Sequence, residues 1–528
     1  MWRSSLSRAT VITTAVVVFV LTSVMPLAYM LGLALSGSAM GDGSYGAVLL
    51  DARQRSLLYT TTILGTGTAA FASLIGAPLG LALARFDVPL KRTLRVLLAA
   101  PMLLPPYVAG LAWVSLGGST GWLARVAGHD LLSAWTYSLP GAVFVLSLVF
   151  YPVSMLATEV AVRRIEPHLE EAALVVARPR RVLWHITLRL AAPSIIAAAL
   201  VTFVLAVSEF GVPGLLRVRV FTTEVFTAFA ALYDFGRATI LTLPLLLLST
   251  LVAAIAVAVM GERLVITRRG AAIGEVPLLR AWGRSSAPAM VLVVALALVL
   301  PLTLLTREAL GVRSWHAVVQ GSSAAIGNSL LLAAIGATVT ACVGMWLGYA
   351  RARARRGAGF LADLVFVVLF SVPSTVVGVG LITLWNRPGM LGAIYGTNTM
   401  LVLVYLARFL PIAALGIAAA ARHVPRSHEE AAATAGASWG RTMMRIVIPQ
   451  MSFGLVAVWV IVFVLAFGEL GASVLVAPAG EATLPIRVYT LIANAPPAQV
   501  SALALLQAAV VLTPLLLLAW GAAAREMQ

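Results

Sequence analysis

Twelve blocks of about twenty apolar residues, separated by short polar segments, fix what this chain can become. They fall at roughly 11–35, 56–84, 95–117, 137–161, 191–215, 236–260, 286–306, 323–350, 360–385, 396–421, 450–476 and 497–521. A helix rises about 1.5 Å per residue, so each block can cross a hydrocarbon layer of about 30 Å. Backbone amides find no water there, and a helix satisfies them within a single segment. The 528 residues are 61% hydrophobic and 11% charged, against about 25% charged in soluble domains. A soluble globule is excluded. The expected fold is an all-α polytopic membrane protein with about 12 transmembrane helices.

Lysine and arginine total 37 against 20 acidic residues, a formal charge of +17. Nucleic-acid readers gather such charge beside aromatic platforms. Here it is parcelled into short runs between apolar blocks, so the expected partner is the lipid bilayer and not nucleic acid. Basic residues mark the cytoplasmic ends of spans. With the N-terminus inside, 26 basic residues fall on cytoplasmic segments and 10 outside, with Arg408 inside a span. The inner groups include Arg85, Lys91, Arg92 and Arg95, then Arg178, Arg180 and Arg181, then Arg351, Arg353, Arg355 and Arg356. Both termini are therefore expected in the cytoplasm. The first block follows Arg3 and Arg8, exceeds a signal-peptide core and has no small-residue cleavage site, so it reads as a retained helix. Cys342 is the sole cysteine, which excludes a disulfide framework and reads as a small buried apolar residue.

The chain divides into two six-span halves, 1–260 and 286–528, with cores at about 56–258 and 323–521 and a linker at 261–285. An even number of spans gives both halves one orientation, a parallel repeat about an axis along the membrane normal. Gly76 and Gly80 match Gly344 and Gly348, and glycines four apart let helix backbones approach closely. More telling is a duplicated loop, EEAALVVARPRRVLWHITLR at 170–189 within loop 162–190 and EEAAATAGASWGRTMMRIVIP at 429–449 within loop 422–449. In the second copy, glutamate followed by alanines favours a short helix with acid at its N-terminal end. Gly436 breaks that helix, Arg441 and Arg445 face the cytoplasm, and Pro449 opens the next span where its missing N–H costs little.

These loops resemble the EAA motif of permease subunits in binding-protein-dependent ABC importers, which reads EAA, three residues, G, nine residues, I-x-L-P. The second copy follows it, with Ile448 for leucine. The first departs: Ala177 replaces the glycine, the loop is one residue shorter, and Arg189 stands in place of the proline. The resemblance implies the type I importer permease fold in the cell inner membrane. It also implies that Glu170, Glu171, Ala172, Ala173 and Ala177, with Glu429, Glu430, Ala431, Ala432 and Gly436, couple the chain to ABC ATPase subunits, expected as a homodimer. The stretches LLPPYVAGLAW (103–113), SLPGAVFVLSLVFYPV (138–153), IEPHLEEAA (165–173) and SEFGVPGLLRVRVFTTEVFTAF (208–229) are similar to fused ferric-iron permeases in particular. Thiamine, polyamine and phosphonate permeases share the architecture and remain open as alternatives. In this family a soluble binding protein delivers the cargo.

ATP hydrolysis is not expected on this chain. A phosphate-cradling loop needs a lysine after a glycine-rich lead, and Lys91, the only lysine, follows Asp87-Val88-Pro89-Leu90. The chain is expected to carry no cofactor, with ATP and magnesium on the partner, and no metal site is assigned. His168 and His428 precede the two EAA stretches and read as solvated loop residues. Ionisable residues inside spans tend to mark transport pathways. Glu209 and Glu469 occupy matching places, 38 and 39 residues beyond Glu171 and Glu430. Their carboxylates suit a hard trivalent cation, or they cap helices broken at Gly211 and Gly471; both readings stay open. Tyr233 and Asp234 are weaker pathway candidates near the outer entrance. Arg408 needs a carboxylate or carbonyl partner and reads as structural. An ion-gradient secondary transporter is the rival from another class, and it predicts broken helices and midplane acids. A membrane enzyme lacks any catalytic constellation in the sequence.

Overall fold

The computed structural model describes residues 2–36, 51–130, 132–261, 280–389 and 392–525, which form helices and connecting turns with no strand. Its major helices run in chain order as α1 (Arg8–Leu35), α2 (Ala52–Arg85), α3 (Lys91–Leu103), α4 (Pro106–Ala127), α5 (Leu139–Arg163), α6 (Pro167–Val176), α7 (Pro179–Ser208) and α8 (Phe235–Val259). They continue as α9 (Gly283–Ala309), α10 (Ser323–Arg353), α11 (Gly357–Ser371), α12 (Ser374–Trp385), α13 (Thr399–Arg422), α14 (Arg426–Thr434), α15 (Trp439–Gln450), α16 (Ser452–Phe467) and α17 (Pro497–Pro514). Among the described residues nine helices are long and apolar enough to cross a membrane, and three bent pairs raise the number to twelve.

Those bends correct the expectation of continuous helices over 95–117, 360–385 and 450–476. Helix α3 meets α4 at 92°, α11 meets α12 at 93°, and α15 meets α16 at 72°. The first two have a steric cause. Pro105 and Pro373 push the residue before them out of the helical region, and Leu104 and Val372 are extended, with ψ of 132° and 126°. Of the 261–285 linker, residues 262–279 lie outside the described residues, and helix resumes at Arg280, inside the segment assigned to it.

The described residues gather into two compact units that do not follow the sequence halves. Unit 1 falls within Met1–Leu49, Val225–Leu246 and Gln320–Tyr489, and unit 2 within Leu50–Glu224, Leu247–Val319 and Thr490–Gln528. The first helix of each half thus joins the body of the other half: α1 belongs with α10–α16, and α9 with α2–α7.

In unit 2, α2 lies along α5 with α7 against both, around Leu64, Val143, Leu146, Val149, Phe150 and Ala206. The glycine pair sits at the closest approach. A β-carbon at Gly76 would strike the carbonyl of Tyr151, and one at Gly80 the carbonyl of Met155. In unit 1, α10 lies along α13 in the same way, and a β-carbon at Gly348 would lie 2.7 Å from the carbonyl of Ala414. Ala15 and Phe19 of α1 pack with Leu347, Phe366 and Leu410. Cys342, expected to be buried, is exposed on α10.

Candidate functional site

The duplicated loop forms a short helix and a π-helical turn in both copies, with different stops between them. Helix α6 starts with Pro167 in its first turn, where no N–H is missed, and carries Glu170 near its positive end. It stops where Ala177 is extended (φ −137°, ψ 150°), and Pro179 starts a second short helix. An alanine adopts that conformation freely, which explains why the first copy does without glycine. Helix α14 instead ends at Gly436 with φ +78°, the left-handed stop that favours glycine. A β-carbon there would meet nothing within 4 Å, so the requirement is conformational and not one of space. Both copies then pass through a wide π-helical turn, Leu183–Thr187 and Met443–Val447, before the next long helix.

The residues expected to meet a partner divide into two sets. Glu171, Ala172, Glu430 and Ala431 are exposed. Glu170, 1% exposed, turns inward, and its carboxylate ion-pairs with Arg85 at 2.8 Å and accepts a hydrogen bond from Thr187. Glu429, half-buried, accepts from Arg353 Nε at 2.8 Å and from the Tyr349 hydroxyl at 2.6 Å. Ala432 is buried, Ala173 and Ala177 are half-buried, and Gly436 is exposed. Glu170 and Glu429 thus turn away from the face that Glu171 and Glu430 expose, because successive helical residues point about 100° apart.

Arg85 and Arg353, read from sequence only as charges marking a membrane face, are the residues missed. The signal was present: each lies five residues after the second glycine of its pair, Gly80 and Gly348. Each guanidinium also donates to carbonyls just beyond or at the end of the preceding long helix, Arg85 to Val162 at 2.9 Å and Arg353 to Val424 at 3.1 Å. Composition alone did not single out the apolar surface of the first copy, where Val175 is 85% and Val176 86% exposed. His168 lies 3.4 Å from Glu171, and His428 hydrogen-bonds Gln450 at 3.1 Å. Among the described residues no group of three His, Cys, Asp or Glu is placed to hold a metal ion.

The two span carboxylates both cap helices. Glu209 accepts from the backbone N–H of Gly211 at 2.9 Å, at the start of a short helix (Gly211–Leu215). Glu469 accepts from Ala472 N–H at 3.0 Å, Ser473 N–H at 2.8 Å and the Ser473 hydroxyl. It also receives Arg408 Nη1 at 2.9 Å, which supplies the carboxylate that arginine needed. Tyr233 is exposed with φ +53°, and Asp234 accepts from Arg237 N–H at 2.9 Å where α8 begins.

The chain is 23% identical over 80% of its length to the putative ferric transport system permease protein FbpB 1 of Haemophilus influenzae, covering 70% of that protein. It is 23% identical over 77% of its length to the ferric transport system permease protein FbpB of Actinobacillus pleuropneumoniae, of which it spans 63%. The molybdenum transport system permease protein ModB of Mycobacterium bovis is 32% identical over 29% of this chain and 59% of its own. Residues 76–265 and 340–524, together more than half of the chain, each match one family and each contain one copy of the loop. The chain belongs to the family of binding-protein-dependent transport system inner membrane components.

Proposed function

We propose that this chain is the translocation subunit of an ATP-driven importer for ferric iron. Both termini lie in the cytoplasm, a soluble binding protein delivers the iron outside, and ATPase subunits dock on the paired loops inside. ATP closes the ATPases, the loop helices move, and the bundle alternates between inward and outward access. One observation carries the reading: a short helix followed by a π-turn stands at equivalent places in both halves. A secondary transporter has no use for such a duplicated docking element. The relatives that run through both halves favour iron by their names, and the molybdenum relatives match a shorter part.

Within the pathway, Glu209 is a carboxylate suited to a hard cation, with Tyr233 and Asp234 near the entrance. Glu469, ion-paired with Arg408, holds the wall. Tight cargo binding is left to the soluble protein, because a pathway must release what it carries.

The test is uptake of labelled ferric iron at limiting concentration, in cells lacking the chain and in cells with it restored. Restored uptake that is lost with Glu430→Lys or Gly436→Val supports both the cargo and the coupling. Uptake unchanged by deletion removes iron, and the same cells are then given molybdate, thiamine, polyamines and phosphonates. Uptake that survives ATP depletion while the ion gradient is held removes the ATP-driven reading.

A further inference from the structure

Both loop helices are bounded by non-helical residues at each end. Helix α6 is reached through Glu166, extended at ψ 124°, and left through Ala177 at ψ 150°. Helix α14 is reached through Pro425, extended at ψ 136°, and left through Gly436 at φ +78°. Each joint interrupts the helical hydrogen bonding, so what fixes the loop helix to the bundle is side-chain contact across the joint. One arginine supplies it at the entry of each copy.

Arg85 is the last residue of α2. Its side chain ion-pairs with Glu170 of α6 and donates to the carbonyls of Val162 and Ile165, at and just beyond the end of α5. Arg353, the last helical residue of α10, pairs with Glu429 of α14 and donates to the Val424 carbonyl just beyond α13. The late carbonyls of a helix have no partner within it, so each guanidinium closes a three-way joint. It ties the second long helix, the end of the fourth and the start of the loop helix. The pairs are shielded, with side chains 5% and 1% exposed in the first copy and 8% and 20% in the second.

A buried ion pair is a poor source of stability, since well-packed apolar residues often serve as well. What it supplies is direction, because each planar guanidinium meets the carboxylate with Nε while its Nη2 is held by helix-end carbonyls. Resting on the proposal that these loops dock on ATPases, we infer that Arg85–Glu170 and Arg353–Glu429 are latches that make each loop helix rigid with two long helices, so that ATP-driven displacement reaches the bundle. They are positioning residues and touch neither cargo nor nucleotide. Their loss uncouples hydrolysis from transport without preventing docking.

The test uses the complete complex of chain, ATPase subunits and iron-loaded binding protein in proteoliposomes, and reads iron moved per ATP hydrolysed. Glu429→Gln and Arg353→Met are expected to retain the ATPase subunits and to hydrolyse ATP within about twofold of the unaltered complex, while iron per ATP falls about tenfold. Arg353→Lys keeps the charge but not the fork and should fall between. If a variant does not reach the membrane, Tyr349→Phe removes the hydroxyl bond to Glu429 and leaves the Arg353–Glu429 pair in place, and it should lower the ratio about twofold to threefold. An unchanged ratio in assembled Glu429→Gln, or in Tyr349→Phe where that replaces it, overturns the latch. Failure of the unaltered chain to bind any ATPase overturns the docking proposal instead.

Discussion

Arg408 and Glu469 offer the sharpest test of how the interior of unit 1 is held. Their side chains are 17% and 2% exposed and meet at 2.9 Å. In Arg408→Met the carboxylate remains, still bonded by the Ala472 and Ser473 N–H groups and the Ser473 hydroxyl. Removing one partner of a buried pair typically costs about 3–5 kcal/mol. The three surviving donors offset part of the exposed charge, which places the loss near about 3 kcal/mol. For a body of this size that is a fall in Tm of roughly 6–12 °C. Glu469→Gln keeps an oxygen for one cap and leaves the more accessible arginine free to turn toward water, so it should cost about 1–2 kcal/mol. The double variant should be less damaged than the two losses added, by about 2 kcal/mol. Thermal unfolding in detergent, followed by tryptophan fluorescence, measures all three. Losses that simply add would refute the pairing argument. So would Glu469→Gln with an unchanged Tm and no uptake, since the carboxylate would then be serving cargo rather than structure.

Gly80→Leu should be far more damaging than Gly357→Leu. The first drives a side chain into the Met155 carbonyl and the Thr158 side chain, an overpacking cost of about 1–3 kcal/mol or more. The second meets open space and should stay within about 0.5 kcal/mol, as yield and Tm of the two purified variants would show. Val176→Glu, at an 86% exposed position, should leave Tm unchanged yet lower co-purification of ATPase subunits by at least about fivefold. Equal recovery would remove that apolar surface from the docking face.

Much of this arrangement could be read from one sequence, and the parts that could not share a cause. Spans, repeat and loop helices depend on local composition and on signals such as Gly436 and Pro167, which act within a turn or two. The orientation of Glu170 depends on where one helix rests against Arg85, far away in the chain. Glu170 and Glu171 are adjacent and chemically alike, and only packing separates the one that turns inward from the one that is exposed. The bends at Leu104 and Val372 were written in the following prolines, but apolar content hid them because a bent pair is as greasy as a straight span. Membership of α1 in unit 1 has no local signal at all, since its contacts, such as Phe19 on Phe366, are long-range.

That membership sets an order of events at birth. Phe19 and Phe366 meet with ring centroids 5.4 Å apart, yet about 350 residues of synthesis separate them, on the order of 20–70 s at the usual pace of a ribosome. Until then the face of α1 that Leu347, Phe366 and Leu410 cover lacks those partners. A chain that stalls before residue 366 therefore displays an orphaned first helix, however well residues 50–224 have already folded. Helix α1 is thus placed only after most of unit 2 has been made.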